Sequence, residues 1–561
     1  MRKIHRIIQY ILIFTLFIAL VACEYKNNDK NKDQQFETTL ENPENIFDSI
    51  PLRILINSDK STDYGITNTN SALFSRLRLL NLDAQISKEC EVKFGFPIEF
   101  FSFKRAPGQF EINDYRLFFE SGEIADLIFP TKINPNYDRH FFWMDEFLDN
   151  GYYKDLTPYL STYCPDVYLN MQRYGFIQEM VTRNDRIYAV YAGVPDISSM
   201  ALQVKNDLLT TSKKQNIQNF DDLFDFMEAM SQEEVDENNK ILVSYQDLLK
   251  YAVIKAGYYP LTYRNYTLGY DIVFKVDDPE CKPYLIEDTN IFDIFFEDFL
   301  PFFEKSYFLN NGRTLGDFVT DHSIDYLSSY INANIRLTNN IFSNTFFNIL
   351  YNGNTGGHAT NDYSMFLFDT ESTIVNTVNS ILLIPVPYTS TQPEKALSFV
   401  NWLFTDEKMV DYLTFGTNIG QFPNYQFNDD GNPVYYQDGC SVYMFHNLIA
   451  NFSDIYMPFQ NKTFDITNEY KRLAQKSIFP PLYRYIESKH SLERYTAYFS
   501  ILNEKELLEP RYVYLMCAMT ELINDPNTDI TVDEIKEELR YMTDEDKIIT
   551  FIRERLQYIV E

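Results

Sequence analysis

Residues Ser121-Gly122-Glu123-Ile124-Ala125-Asp126-Leu127-Ile128-Phe129-Pro130 run from a polar, glycine-bearing turn into a short apolar strand, Ala125–Phe129, which the proline stops. Upstream, Leu52-Arg53-Ile54-Leu55-Ile56 is a similar strand that turns polar at Asn57-Ser58-Asp59-Lys60, and Pro97-Ile98-Glu99-Phe100-Phe101-Ser102-Phe103 is another. Between the first two, Leu73, Leu77, Leu80 and Ala84 recur at three- and four-residue spacing, which predicts a helix over Ala72–Lys88. Strands alternating with helical segments predict an α/β fold on a parallel sheet covered by helices. Ligands of such sheets gather beyond the carboxyl ends of the strands. The loops that start at Asn57 and Pro130 are therefore expected on the functional side.

The N-terminus carries an address. Arg2, Lys3 and Arg6 precede an apolar run from Ile7 to Leu20, shorter than the roughly 20 residues of a membrane span. Leu20-Val21-Ala22-Cys23 resembles the bacterial lipobox, which implies cleavage before Cys23 and a diacylglyceryl thioether on its sulfur. The following Lys26-Asn27-Asn28-Asp29-Lys30-Asn31-Lys32-Asp33 offers almost nothing to pack, so residues 23–50 are expected to be a flexible tether behind a signal peptide at 1–22. No other apolar stretch approaches membrane length.

With 561 residues the chain has room for two or more domains. Its net charge of −31 argues against a nucleic-acid partner, because phosphate binding needs basic patches. Apart from Cys23, cysteines stand at 90, 164, 281, 440 and 517 with no C-x-x-C pair; buried free thiols are expected, with room for one bridge. His140, His322, His358, His446 and His490 are widely spaced, which gives no support for a metal site. No G-x-S-x-G or H-E-x-x-H occurs.

A series of segments resembles family 1 extracellular solute-binding proteins, the carbohydrate-binding, maltose-binding-protein-like subunits of ABC importers. Ser121–Ile128 is the first. Gly151-Tyr152-Tyr153-Lys154-Asp155-Leu156-Thr157-Pro158-Tyr159-Leu160 and then Tyr163-Cys164-Pro165-Asp166 follow, with Cys164 where a small residue is usual. Asp185-Arg186-Ile187-Tyr188-Ala189-Val190 is similar to the next family strand, except that Arg186 fills the usual glycine position and Tyr191 the usual proline. Ala201–Leu209 is similar to the strand and helix start that open the second lobe, and a helix is expected from Phe220 to Met230. Near the other end, Ile384-Pro385-Val386-Pro387 precedes Pro393-Glu394-Lys395-Ala396-Leu397-Ser398-Phe399-Val400-Asn401-Trp402-Leu403, which resembles a family helix. Thr391 and Glu394 have capping-box spacing, Pro393 suits the first turn, and Gly416 is a candidate stop. Gly420–Tyr435 resembles the loop and hairpin that come next. Residues 230–380 match only in general character. The last hundred residues are expected to be helical, at Glu504–Glu509, Pro510–Asn524 and Asp533–Val560.

The resemblance implies a type II periplasmic-binding-protein-like fold of two α/β lobes, residues 51–195 plus 386–430 and residues 196–385 plus 431–561, with a helical C-terminus. The hinge would be crossed near Val194–Met200, Pro385–Tyr388 and 425–440. It implies a non-enzymatic, monomeric, lipid-anchored protein on the extracytoplasmic face of the membrane, needing no cofactor. Such a protein captures a carbohydrate between its lobes and delivers it to ABC permease subunits. Candidate ligand residues are Asn57, Asp59 and Lys60, which resemble a sugar-binding turn of maltose-binding relatives although Ser58 replaces its glycine. Thr131 and Lys132 in the loop after the third strand, and Tyr191, Asp196 and Ser199 at the hinge, complete the set. A solvated loop is the other reading for 57–60, and a core position the other for Tyr191. Trp402 is expected in the core and Trp143 in a packed helix, with stacking on ligand the other reading for Trp143; Asn354-Thr355-Gly356-Gly357-His358 lacks the Lys-Ser/Thr of a phosphate loop and reads as a flexible loop, with the cleft rim as one place for it. A ligand sensor, an adhesive surface lipoprotein and a cell-surface glycoside hydrolase with paired carboxylates are the alternatives the sequence leaves open.

Overall fold

The computed structural model describes residues 47–56, 82–101, 103, 112–129, most of 132–261, 271–310, 333–338, 363–368, 374–377, 383–406, 408–409, 425–427, 433–435 and most of 472–560. The expected signal peptide, Cys23 and residues 23–46 of the expected tether lie outside them, as do Trp143, residues 354–358 and Gly416. Residues 47–50, expected as the end of the tether, are instead tied to the first core: Phe47 packs on Phe94 and Phe96, Asp48 pairs with Lys395, and the Ile50 carbonyl accepts from the same ammonium.

The first layer follows the predicted order of strand and helix. Strand β1 (Leu52–Ile56), helix α1 (Leu82–Phe94), β2 (Ile98–Phe101), α2 (Ile112–Ser121) and β3 (Leu127–Phe129) give a parallel sheet in the order β2-β1-β3. Leu73, Leu77 and Leu80 of the predicted helix lie outside the described residues; Ala84 does not share the apolar face expected of it. Ile86, Cys90 and Phe94 are the buried stripe of α1 and Ala84 faces solvent, because a small alanine marks an apolar face only weakly. The helix runs past Lys88 to a left-handed Gly95 (φ 86°), whose N–H donates to the Glu91 carbonyl at 2.9 Å.

Next come the hairpin of β4 (Lys132–Asn134) and β5 (Tyr137–His140), α3 (Met144–Asp149), and three short helices, α4 (Thr157–Tyr163), α5 (Pro165–Arg173) and α6 (Gly175–Val181). Strands β6 (Thr182–Arg183) and β7 (Arg186–Ile187) form a tight hairpin, and β8 (Ala189–Tyr191) follows. The left-handed residues of that hairpin are Asn184 (φ 51°) and Asp185 (φ 61°), the pair of residue types a two-residue turn favours. Arg186 already lies in the strand opposite Arg183, so no glycine is required there.

Beyond β9 (Asp196–Ser198) lies the second layer. It comprises β10 (Ala201–Lys205), α7 (Asn206–Ser212), α8 (Phe220–Met230), β11 (Ile241–Val243), α9 (Tyr245–Lys255), β12 (Tyr258–Pro260), β13 (Ile272–Lys275), β14 (Tyr284–Leu285), α10 (Ile291–Glu304), β15 (Phe308–Asn310), β16 (Ile335–Thr338) and β17 (Tyr363–Leu367). Five strands make a mixed sheet, β15-β11-β16-β10-β17, in which β10 runs antiparallel to both neighbours. Helix α8 has the predicted bounds.

The chain returns through β18 (Ile374–Thr377) and β19 (Leu383–Pro385) into α11 (Pro393–Thr405), then the hairpin of β20 (Tyr425–Phe427) and β21 (Pro433–Tyr435). It ends in α12 (Pro481–Ser488), α13 (Lys505–Asn524), α14 (Val532–Tyr541) and α15 (Glu545–Val560). Three expectations need correction here. The cap of α11 is Gln392, not Thr391, and it makes no side-chain cap bond; its amide donates instead to Ser390 Oγ. Pro510 does not divide α13, because one missing N–H in an otherwise packed helix costs a single backbone bond. Residues 533–560 form two helices rather than one, the first closed at its N-terminus by a capping box of Thr531 and Glu534.

Two hydrophobic cores result. The first gathers β1–β3, α4–α6, β8, β19 and α11. The second lies under one face of the five-stranded sheet and contains α8, α9 and α10. Strands β12–β14 and the last helices contribute to both: Tyr259, Phe274, Leu508 and Ile552 join the first, while Val273, Leu515, Met519 and Leu539 join the second.

Candidate functional site

Two long-range bonds explain what the resembling segments do within the first core. Asp126, almost fully buried, accepts the Arg53 amide on Oδ2 at 2.9 Å and the Ser390 hydroxyl on Oδ1 at 2.8 Å. It therefore fixes β1 and the entry to α11 at one point. Asn401 of α11 caps α5, accepting the Asp166 and Val167 amides on Oδ1 and donating to Asp166 Oδ2. Lys395 is buried against the Phe96 ring (5.1 Å) and pairs with Asp48. Trp402 packs edge-on against Phe94 in the core, as expected. Cys164 is buried beside this cap, where burial pushes its thiol up and leaves it an inert packing group.

This frame positions the two predicted loops. Register pairs Ile56 with Phe129, the last residues of β1 and β3. The segments beginning at Asn57 and Pro130 thus leave adjacent parallel strands at the same level, on the carboxyl side of the sheet. Lys132 opens β4 opposite His140, so Lys132–Asn134, expected as a loop, are instead one strand of a hairpin that follows β3. Asn57, Asp59, Lys60 and Thr131 lie outside the described residues.

A two-strand ribbon joins the cores. Strand β8 pairs antiparallel with β19 (Tyr191 opposite Leu383), β9 with β18 (Asp196 opposite Thr377), and β10 with β17 (Ala201 opposite Leu367). Its ladder shifts register between Val375 and Thr377, an interruption that locally loosens pairing. Tyr191 is fully buried in the first core and its amide points at Met171 Sδ, 3.3 Å away. Asp196 lies in β9. Ser199 is buried between β9 and β10, and its hydroxyl has no hydrogen-bond partner among the described residues. Such an orphan costs about 1–3 kcal/mol unless water or a ligand completes it.

Sequence reading missed two buried polar groups. Gln203 and Arg336 stand opposite each other in β10 and β16, with Arg336 Nη1 donating to Gln203 Oε1 at 2.9 Å on the sheet face away from the second core. Arg511 of α13 donates from Nε to Asp271 Oδ2 (2.9 Å) and from Nη2 to Glu287 Oε2 (2.7 Å), all three residues being buried. Arg511 is the only charged residue in Pro510–Thr520, which was the available signal for it, as was a lone glutamine in Ala201-Leu202-Gln203-Val204 for Gln203. Cys90, Cys164 and Cys281 are buried and unbridged, as expected of free thiols, whereas Cys517 is free but exposed. Cys440 lies outside the described residues. Among the described residues no group of three or more His, Cys, Asp or Glu could hold a metal ion, and no helix is long and apolar enough to cross a membrane.

No family model and no curated protein matches the chain. Among solved structures it is similar to the N-glycan transport solute-binding protein (NgtS) of Streptococcus pneumoniae, at 14% identity over 92% of this chain and 99% of that one, with a TM-score of 0.48. An extracellular solute-binding protein of Bifidobacterium longum subsp. infantis is similar at 11% identity (91% and 99% covered, TM-score 0.43). So is the S. pneumoniae ABC-transporter substrate-binding protein FusA, in complex with kestose, at 13% identity (91% and 99% covered, TM-score 0.40).

Proposed function

We propose that the chain is an extracytoplasmic, lipid-anchored solute-binding protein that captures an oligosaccharide and delivers it to the permease subunits of an ABC transporter. The observation that carries this reading is the pairing of Ile56 with Phe129, from which both candidate loops depart side by side. The ribbon of β8–β10 with β17–β19 supports a hinge between two lobes, since paired crossings between separate cores can absorb closure. We assign the lobes to residues 51–195 plus 386–430 and 196–385 plus 431–561, with β12–β14 and the last helices shared between their cores. Asn57, Asp59, Lys60, Thr131, Lys132, Asp196 and Ser199 would hydrogen-bond sugar hydroxyls in the cleft, with Tyr191 packed behind them. Cys23 would carry the acyl anchor, and the protein would act as a monomer without enzymatic activity.

The test is a thermal-shift screen of residues 24–561 against mono- and oligosaccharides. A bound sugar adds about 2.7 kcal/mol at a hundredfold excess over its Kd. A saturable shift for one sugar class, lost in Asp59→Ala, is the expected result. A folded protein that shifts with no sugar would sink the carbohydrate assignment, and release of smaller sugars in the same wells would replace capture by hydrolysis. Labelled palmitate incorporated by the full chain and absent from Cys23→Ala checks the anchor.

A further inference from the structure

Helix α13 touches both cores, and the change from one to the other falls at one place. Leu508, ahead of Pro510, is buried in the first core; Leu515, Met516, Ala518, Met519 and Leu522, behind it, are buried in the second. Pro510 has no N–H, so the Glu506 carbonyl loses its helical donor, and the ring itself faces solvent. The next residue, Arg511, is fully buried. It holds Asp271 and both oxygens of Glu287, and donates to the Leu539 carbonyl at 2.9 Å. Those partners come from the start of β13 and the turn after β14, in the strands shared between the cores, and from the end of α14, which packs in the second core. A weakened helical turn therefore sits directly beside a rigid, many-bonded anchor.

We propose that α13 is a strap between the two halves of the molecule, bending at Pro510 about the Arg511 anchor, so that its flexibility sets how far the halves open. The physical logic is local. A helix packed into two bodies resists their relative rotation unless its backbone ladder is interrupted where it passes from one to the other. Here the interruption and the passage coincide. The anchor keeps the bend from spreading, because moving Arg511 would strip two buried carboxylates of their cation. The proposal rests on the two-lobed reading only in supposing that the halves move.

The experiment needs no ligand, so it can fail while sugar binding stands. Spin labels are placed at Leu169→Cys on α5 and Leu300→Cys on α10, both exposed positions on helices of different cores. The chain from Glu24 is used, with Cys517 and Cys440 replaced by serine, and distances are read by double electron–electron resonance. Pro510→Ala, which restores the missing donor, is expected to narrow the distance distribution or shift its mean. A Pro510→Ala distribution superimposable on that of the parent would overturn the strap. Amide exchange on the unsubstituted chain is an independent check. Residues 507–509 should exchange at least tenfold faster than 516–522, and uniform protection along α13 would also overturn it.

Discussion

Asn401 and Asp166, on helices far apart in sequence, are bound to each other twice. Asn401 Oδ1 receives the Asp166 amide at 2.9 Å, and Asn401 Nδ2 donates to Asp166 Oδ2 at 2.8 Å. Asn401 thus acts as an N-cap supplied in trans for α5, which has no side-chain cap of its own. Asn401→Ala is expected to destabilise the protein by about 1–2 kcal/mol, the usual worth of a lost cap. Asp166→Ala should cost less, because both backbone amides keep their acceptor. Urea unfolding of the two variants measures the order, and a reversed order would refute the cap.

Asp126 ties three segments by its two oxygens. Asp126→Ala leaves the Arg53 amide and the Ser390 hydroxyl without their acceptor, with an expected cost of about 3 kcal/mol. The loss should be concentrated in the first core, so faster amide exchange at Arg53 with unchanged exchange in β10 is the signature. A loss spread equally over both cores would contradict the assignment.

The thiols differ sharply in burial, and a matching difference in reactivity is expected. Burial pushes Cys281 up to about 12 and raises Cys90 and Cys164 further, which denies a reagent the thiolate it needs. In the native chain from Glu24, with Cys440→Ser, a disulfide reagent should titrate Cys517 rapidly. The other three should react only on unfolding. Prompt reaction of more than one thiol would show that the first core admits solvent at these sites.

Glu228 provides a pH dependence of definite sign. The Tyr307 hydroxyl donates to its carboxylate at 2.5 Å, and that bond, with Lys305 nearby, holds the carboxyl below its usual range. A lowered folded value means the contribution is fully present above the ordinary carboxylate range and is lost as pH falls through the lowered value. Glu228→Gln removes the titrating group. The acid side of a Tm-against-pH curve should therefore become shallower in the variant, while the shape above neutrality stays the same.

Much of the architecture is local in origin and so is visible in sequence. β1 and α8 have their predicted bounds because a strand or an amphipathic helix is written in spacings of two to four residues. The misreadings share a cause. Thr391 and Glu394 have the spacing of a capping box, yet the turn at Ser390–Gln392 is drawn toward Asp126, more than two hundred residues away. Pro510 is a local breaker that packing on both sides overrides. Candidate loops were legible as strand ends, but nothing local says that Ile56 and Phe129 are neighbours.

The sequence by itself made legible the α/β alternation and the set of strand-end loops worth testing, and it raised the expectation of an export signal ending at a lipobox-like Cys23. Each rests on composition or short-range period. Tertiary structure alone decided that Asp126 and Asn401 bind segments together, that Tyr191 is enclosed in a core, that Cys517 is exposed, and that Arg511 meets two carboxylates where the cores join. Those facts depend on which distant surfaces exclude water together and in what register. Free energy of that kind is shared among many weak contacts, and no short stretch of chain carries it alone.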